Sequence, residues 1–383
     1  MTAVHTHSAS RPPYVILQLV STGTYSGAEK VAADIAAGLC KRHFRAVYAC
    51  TGDRLATRLA NTGIDSHVVP SFAGLRCLYP PCALHTIMKR ERVDLVHAHD
   101  VTASIAAHRA SVGLGIPVIS HIHNQYDWLR RPTAKKYLDR MFRNCFAVSI
   151  ACSEPTRDFY LAHNRAARGE RVKTFANAIA VSEAAKALWA PQPTAGKHIL
   201  FIGRLVKQKR VDILLRAFAC VCTTMEHTTL HLVGSGPDEP RLRALSSRMS
   251  LQDRVVFHGH QSDPWACCLR PDVFVLSSDY EGLPMVLLEA FDRYVPVIAT
   301  DVGGIPGIVR HEENGFLIPR RNVGALADAI RHVLDAQPER IRKIAMSARA
   351  TLVERHSISA YVARVSRLYA QVLACAACNC SDC

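Results

Sequence analysis

Residues 272–289, DVFVLSSDYEGLPMVLLE, limit what this chain can fold into more than any other stretch. The opening run Val273-Phe274-Val275-Leu276 is continuously apolar, as strands buried on both faces are. A polar turn covers residues 277–282. A helix then opens near Pro284, because proline in a first helical turn gives up only an N–H that has no partner there. Strand, turn and helix in this order place the loop at the carboxyl end of a parallel strand, where open α/β sheets hold ligands. Two carboxylates stand eight residues apart, Glu281 at the helix mouth and Glu289 about two turns along if the helix begins near Leu283. The free N–H groups of a first turn carry roughly half a positive charge, a seat for phosphate.

The same unit recurs along the chain. Residues 14–20 (YVILQLV) read as a first buried strand, followed by a small-residue turn and a helix over 28–40. Further strands are expected near 46–49, 67–69, 95–97, 118–121 and 146–151, with helices between. Alternation of this length implies the α/β class, a parallel sheet covered on both faces. His97, His99 and His123 fall at strand ends, where a neutral imidazole can bond a sugar hydroxyl or a backbone carbonyl. The spacing supplies neither a carboxylate nor a further histidine to complete a ligand set, so metal is not expected there.

A second domain opens at residues 198–203 (HILFIG), where Gly203 ends a strand and Arg204 and Lys209 follow. Guanidinium forks onto phosphate oxygens and an ammonium adds a point charge, so the two read as a diphosphate clamp. Cations at a helix start oppose the dipole unless an anion sits between. Another strand ends in a glycine turn at Gly234, and Gly303 and Gly304 are expected to turn backbone amides into the cleft. Helical patterns over 322–334, 341–353 and 358–373 close the chain.

At 383 residues the chain can bury two cores. It has no apolar run of membrane-crossing length. Its first residues, MTAVHTHSASRPP, lack a signal-peptide core, so they read as a disordered lead-in and the protein as cytoplasmic. The net charge of +15 is uneven: residues 1–180 hold 23 Lys and Arg against 12 Asp and Glu, the rest 24 against 20. The basic half calls for an anionic partner. Residues 128–143 (WLRRPTAKKYLDRMFR) concentrate that charge beside an apolar stripe of Tyr137, Leu138, Met141 and Phe142. Such a helix fits an anionic membrane surface, or equally a solvated helix whose stripe faces the core. Nucleic acid is not expected, because few aromatics interleave with the cations. Of 14 cysteines, Cys40, Cys50, Cys145, Cys152, Cys220, Cys222, Cys267 and Cys268 sit in apolar runs and are expected buried. Cys375, Cys378, Cys380 and Cys383 crowd a tail whose spacing suits oxidation better than zinc.

The string EGLP…LEA with its E-x7-E spacing, followed by PVIATDVGG and NGFLIP, resembles the family-4 glycosyltransferases, retaining sugar-nucleotide enzymes of the GT-B fold. The resemblance implies two Rossmann-like doubly wound domains facing across a cleft, with the last helix crossing back to the first. Residues 13–180 then form an acceptor-binding domain and 181–197 a linker. Residues 198–356 bind the nucleotide sugar, 357–374 form the crossover helix, and 375–383 are the tail.

The resemblance also carries roles. Arg204 and Lys209 match the family's GRL…K and bind the diphosphate, framed by Gly203 and Gly234. Glu281 and Gly282 match the donor-sugar position, Glu289 the ribose, and Leu283, Pro284 and Met285 the helix start. His123 holds the sugar from the opposite domain, with His99 beside it, so His123, Glu281, Arg204 and Lys209 are the expected catalytic groups. Gly27 lies in Ser26-Gly27-Ala28-Glu29, where relatives carry GGxE, and Ala178 replaces another family glycine. Asp279-Tyr280-Glu281 mimics a metal-holding D-x-D but belongs to E-x7-E, so no metal or other cofactor is expected. The implied partners are a nucleotide-sugar donor and a glycan or lipid-linked acceptor, as in lipopolysaccharide, capsule or exopolysaccharide assembly. Work on a lipid-linked acceptor places the protein peripherally on the inner face of the cytoplasmic membrane. Two readings stay open beside this one: a nucleotide-sugar epimerase of the same fold, and a non-catalytic protein binding nucleic acid or membrane through its basic half.

Overall fold

The computed structural model describes residues 13–79, 82–182, 196–268 and 270–379; the lead-in to residue 12, linker residues 183–195 and tail residues 380–383 lie outside the described residues. A first sheet contains β1 (Tyr14–Leu19), β2 (Phe44–Cys50), β3 (Asp65–Val68), β4 (Leu95–Ala98), β5 (Val118–Ile122), β6 (Val148–Ala151) and β7 (Val172–Thr174). A second contains β8 (Lys197–Ile202), β9 (Thr228–Val233), β10 (Val255–Gly259), β11 (Val273–Leu276), β12 (Val297–Thr300) and β13 (Phe316–Ile318). Their orders are β3-β2-β1-β4-β5-β6-β7 and β10-β9-β8-β11-β12-β13. All of these pairings are parallel. Both sheets therefore reverse direction once, between β1 and β4 and between β8 and β11. A crevice opens at such a switch point, outside the carboxyl ends of the strands.

The connecting helices of the first half are α1 (Gly27–Gly38), α2 (Asp53–Ala60), α3 (Cys82–Arg90), α4 (Val101–Ala110), α5 (Ala134–Phe142) and α6 (Glu154–His163). The second half has α7 (Val211–Cys222), α8 (Glu239–Arg248), α9 (Met285–Asp292), α10 (Val323–Asp335), α11 (Pro338–Arg355) and α12 (Ile358–Asn379). Several starts are set by short polar side chains. Asp100 accepts the Ala103 N–H at 2.8 Å before α4, and Asn322 accepts that of Ala325 at 2.9 Å before α10. Such caps are worth typically about 1 kcal/mol each.

The structure departs from the sequence reading in four places. Pro284 caps α9 instead of lying inside it, so Glu289 sits just beyond the first turn and not two turns in. The α5 stripe divides: Leu138 and Phe142 pack on the core, while Tyr137 and Met141 are 55% and 67% exposed. Arg143 leaves the basic surface altogether, buried against Asp139 and the hydroxyls of Ser120 and Ser149. Cys40, Cys145 and Cys220 are exposed, because they lie at helix ends or on an outer helix face, where apolar neighbours in sequence do not bring burial.

Helix α12 returns to the first sheet and joins the two cores. His356 and Ile358 bond the backbone of Ile179 at 3.1 and 3.0 Å, fixing its entry. Val362 packs on Gly38 of α1, where a β-carbon would lie 2.8 Å from a Val362 methyl. Tyr369 ends fully buried, accepting from Gln18 Nε2 at 3.0 Å and bonding His97 Nδ1 at 2.6 Å. Tyr361, also buried, has a hydroxyl with no partner among the described residues. Elsewhere on the seam, Lys30 of α1 meets Glu289 of α9 at 2.5 Å, beside Asp34. No helix among the described residues is long and apolar enough to cross a membrane.

Two consequences are measurable. Urea unfolding of Tyr369→Phe should show a loss of about 1–3 kcal/mol, because Gln18 and His97 are left unpaired in the interior. Tyr361→Phe removes a buried hydroxyl that bonds nothing and should be neutral or slightly stabilising; equal losses in both would contradict this assignment. Burial also holds the Asp34 carboxyl up at about 6, with Lys30 opposing and Glu289 adding to the shift. The unfolded carboxyl titrates near 3.9, so between about pH 4 and 6 the folded chain binds the extra proton. Stability therefore falls as pH rises through that window, by about 3 kcal/mol in total. Asp34→Asn should abolish this slope and be the more stable protein at neutral pH, which urea midpoints across the window would test.

Candidate active site

The two switch points face one another, and the loops after β8 and β11 furnish one wall. Gly203 closes β8, and Gly234, with φ at +130°, passes so near that a β-carbon would sit 2.0 Å from the Gly203 carbonyl oxygen. That tight approach aims residues 204–209 toward the cleft. Arg204 is exposed, and its guanidinium has no ion-pair partner among the described residues. Lys209 turns inward and donates to Glu281 Oε1 at 2.6 Å, where Ser278 Oγ also donates at 2.6 Å. Glu281 is only 5% exposed, so the lysine supplies the charge that a buried carboxylate requires.

Glycine fixes the backbone around Glu281. At Gly303, with φ at +57°, a β-carbon would meet the Glu281 carbonyl oxygen at 1.9 Å. The Gly304 N–H donates to the Gly282 carbonyl at 2.7 Å, so these glycines brace the loop instead of turning amides into the cleft as expected. Gly282 in turn lies under the first domain, where a β-carbon would meet the His123 carbonyl at 2.1 Å and Cys152 Sγ at 2.6 Å. Asn177 adds a bond to the Leu283 carbonyl at 2.8 Å. Gly27 faces Met285 across the same seam. Leu283, Pro284 and Met285 thus open α9 against the first domain.

The first domain contributes a row of imidazoles. Gln18 Nε2 donates to Tyr369, which leaves the Gln18 carbonyl toward His99 Nε2 at 2.8 Å. A carbonyl only accepts, so His99 Nε2 carries the proton and His99 Nδ1 is a lone pair. His123 Nε2, 3.1 Å away, is then the donor to it, and His123 Nδ1 is left as an acceptor. Burial keeps His123 neutral by pushing its imidazole down to about 3. Tyr369 donates its own hydrogen to His97 Nδ1, and His97 is likewise held down at about 3.

Of the residues singled out in the sequence, His123, Gly282, Glu281 and Lys209 form one cluster through these contacts, with Gly27 and Met285 alongside. Arg204, Gly203 and Gly234 stand at its second-domain edge. Glu289 stands apart: its Oε2 accepts from Trp265 Nε1 at 2.9 Å while Lys30 takes Oε1. Both Asp279 oxygens are engaged by arginines. Arg321 holds both its oxygens at 2.8 and 2.7 Å, Arg210 adds a third contact, and together they outweigh burial to keep the carboxyl below its ordinary range. Sequence reasoning passed over Gln18, Lys30, His121, Trp265 and Tyr369, which come from distant elements. Only Lys30, next to Ser26-Gly27-Ala28-Glu29, had a nearby signal.

The glycosyl transferases group 1 pattern matches residues 190–351, and the glycosyltransferase family 4 pattern matches residues 25–183. Over 144 residues the chain is 40% identical to an exopolysaccharide phosphotransferase of Streptomyces coelicolor, a match covering 36% of this chain but only 15% of that protein. It is 26% identical over 308 residues to the alpha-D-kanosaminyltransferase of Streptomyces kanamyceticus, covering 74% of this chain and 79% of the relative. The crystal structure of HepE from Anabaena in complex with UDP-glucose superposes with a TM-score of 0.81 at 21% identity, over 93% of this chain and 99% of that one. With both halves matched in order and both sheets wound alike, the chain belongs to the group 1 glycosyltransferases of the GT-B fold.

Proposed function

We propose that this protein moves a glycosyl group from a nucleoside-diphosphate sugar to a glycan or lipid-linked acceptor, with retention at the anomeric carbon. The observation that carries the reading is the Glu281–Lys209 pair, set at the mouth of α9 and pressed against His123 of the opposite domain. The kanosaminyltransferase and the UDP-glucose complex among the relatives support it. In the reaction the acceptor oxygen forms its bond to the anomeric carbon as the bond to diphosphate breaks, and the acceptor hydroxyl's proton passes to an oxygen of the departing diphosphate, on which negative charge has built. Arg204, Lys209 and the first N–H groups of α9 are placed to receive that charge. Preorganised donors of this kind contribute about 2.7–4 kcal/mol each. Glu281 takes the sugar hydroxyls, His123 Nδ1 accepts one from the other side, and Glu289 takes the ribose in exchange for Lys30. The diphosphate is handled without a metal, because the Asp279 oxygens are already committed to Arg321 and Arg210.

The acceptor enters along the basic first domain. Exposed Tyr137 and Met141 share one side of α5 with Arg140, and exposed Arg130, Arg131 and Lys135 lie on and just before the same helix, a surface suited to an anionic membrane holding a lipid-linked acceptor. An epimerase would need no acceptor face, and a nucleic-acid groove would need aromatics free to stack on bases, whereas Tyr126 and Trp128 beside Lys135 pack on the first core.

Thermal unfolding with UDP, GDP, ADP and dTDP, each with and without EDTA, tests the donor half. One nucleotide at 100 times its Kd should add about 2.7 kcal/mol, by the same increment with EDTA present. Arg204→Ala should erase it. An increment that vanishes with EDTA would overturn the metal-free handling, and no increment with any nucleotide would overturn the transferase reading. Glu281→Gln should keep the nucleotide shift while lowering kcat by about 100-fold or more. If it lost nucleotide affinity instead, the carboxylate would belong to the nucleotide and not to the sugar.

A further inference from the structure

Behind His123 the first sheet buries more imidazole than its hydrogen bonds use. His97 and His99 project from one face of β4, and His121 and His123 from the adjoining end of β5. The rings stack closely: His97 and His99 have centroids 4.3 Å apart, His97 and His121 5.3 Å, and His121 and His123 3.9 Å. His97 and His121 are fully inaccessible and His99 is 1% exposed. Among the described residues, His97 Nε2 and both nitrogens of His121 have no hydrogen-bond partner. An orphaned buried polar atom costs about 1–3 kcal/mol, and such atoms in a native interior point to an ion or water that satisfies them.

We propose that His97, His99 and His121 bind a late first-row divalent cation, Zn2+ in the first instance, with His123 completing a tetrahedron. One ring nitrogen from each of the three lies within 4.8 Å of the others. His99 Nδ1 and His123 Nε2 are 3.1 Å apart. Zn–N bonds of 2.0–2.1 Å give a tetrahedral edge of about 3.3 Å, so that pair is already near ligand spacing. The remaining nitrogens have outer partners of the kind metal-bound histidines use. His99 Nε2–H donates to Gln18 Oε1, and His97 Nδ1 can donate to Tyr369 Oη, whose two lone pairs also serve the Gln18 amide. Metal binding thus turns the Tyr369 hydrogen away from His97 and frees His97 Nε2 as a ligand. All four imidazoles are held neutral by burial, as ligands must be. An all-imidazole set selects Zn2+, Co2+ or Ni2+ and not Mg2+, so this ion is not one that serves the diphosphate. With Nε2 on the ion, His123 carries its hydrogen on Nδ1 and meets a sugar oxygen as a donor, whereas the metal-free imidazole accepts there. A second group, His198, His231 and Cys268, also lies within 4.8 Å, but its histidines satisfy one another and His258 at 3.1 and 3.0 Å and leave no orphan.

Cobalt and zinc titration of the full chain after dialysis against EDTA tests the proposal. One Co2+ should bind with the visible spectrum of a tetrahedral nitrogen site and no thiolate charge-transfer band, and Zn2+ should displace it. X-ray absorption of the wild-type chain, which needs no variant, should show nitrogen ligands alone. His121→Gln should lose this ion, and His198→Gln should keep it. Tyr369→Phe retains every ligand and should bind about 10–100-fold more weakly through loss of an outer partner. Undiminished binding by His121→Gln, a spectrum dominated by thiolate, or a wild-type chain that takes up no cobalt would each overturn it, the last leaving buried water as the partner of the orphaned nitrogens.

Discussion

The site depends on backbone approaching backbone more closely than any side chain permits. Gly282 lies against the His123 carbonyl, Gly303 against the Glu281 carbonyl, and Gly304 against the Gly282 carbonyl. Each contact is one that a β-carbon would close, and Gly303 also occupies the left-handed region that favours glycine. The three together pin one loop at the carboxyl end of β11 to the first domain. Glu281 owes its position to this packing, because among the described residues its side chain hydrogen-bonds only Lys209 and Ser278. The domain seam and the carboxylate are therefore one structural feature.

Charge at the seam follows from the same geometry. A carboxylate as buried as Glu281 would be expensive alone, and replacing one partner by another costs far less than leaving the charge bare. Lys209 serves Glu281 and Lys30 serves Glu289, each from a side on which a ligand's hydroxyls or phosphates would also arrive. Arg204 is exposed and has no paired carboxylate among the described residues. Asp279 differs in having both oxygens held by arginine, bidentate from Arg321, with Arg210 as a further partner.

The parts of the fold that local chemistry dictates were legible in the chain. Continuous apolar runs marked β1, β8 and β11, because parallel strands buried on two faces leave no alternation to read, whereas the polar edge strands β3 and β7 carry no such run. The E-x7-E string lies on the loop after β11 that packs against the first domain. What could not be read were contacts made between distant elements. Lys30 and Glu289 are 259 residues apart and Gln18 and Tyr369 are 351 apart, so no spacing rule links them. His121 was overlooked for a different reason: β4 and β5 are neighbours only in the sheet, and their register brings its imidazole beside those of His97 and His99. Cysteine burial misled because apolar neighbours in sequence do not say which face of a helix a side chain occupies.

The returning helix belongs to the site although it ends on the sheet and not in the cleft. Tyr369 accepts from the Gln18 amide and thereby decides which end of that amide faces His99. The amide decides which nitrogen of His99 carries the proton, and His99 decides whether His123 donates or accepts on the side facing the seam. The Gln18 amide has fixed donor and acceptor ends, and the Tyr369 hydroxyl and the imidazoles take their roles from it. Without the Tyr369 hydroxyl, the Gln18 amide can turn over, and both polarities of the imidazole row become accessible. A helix that pairs with the first domain only through packing would stabilise the fold equally well. That a buried tyrosine is placed at the head of this row ties the closing of the chain to the proton position at His123.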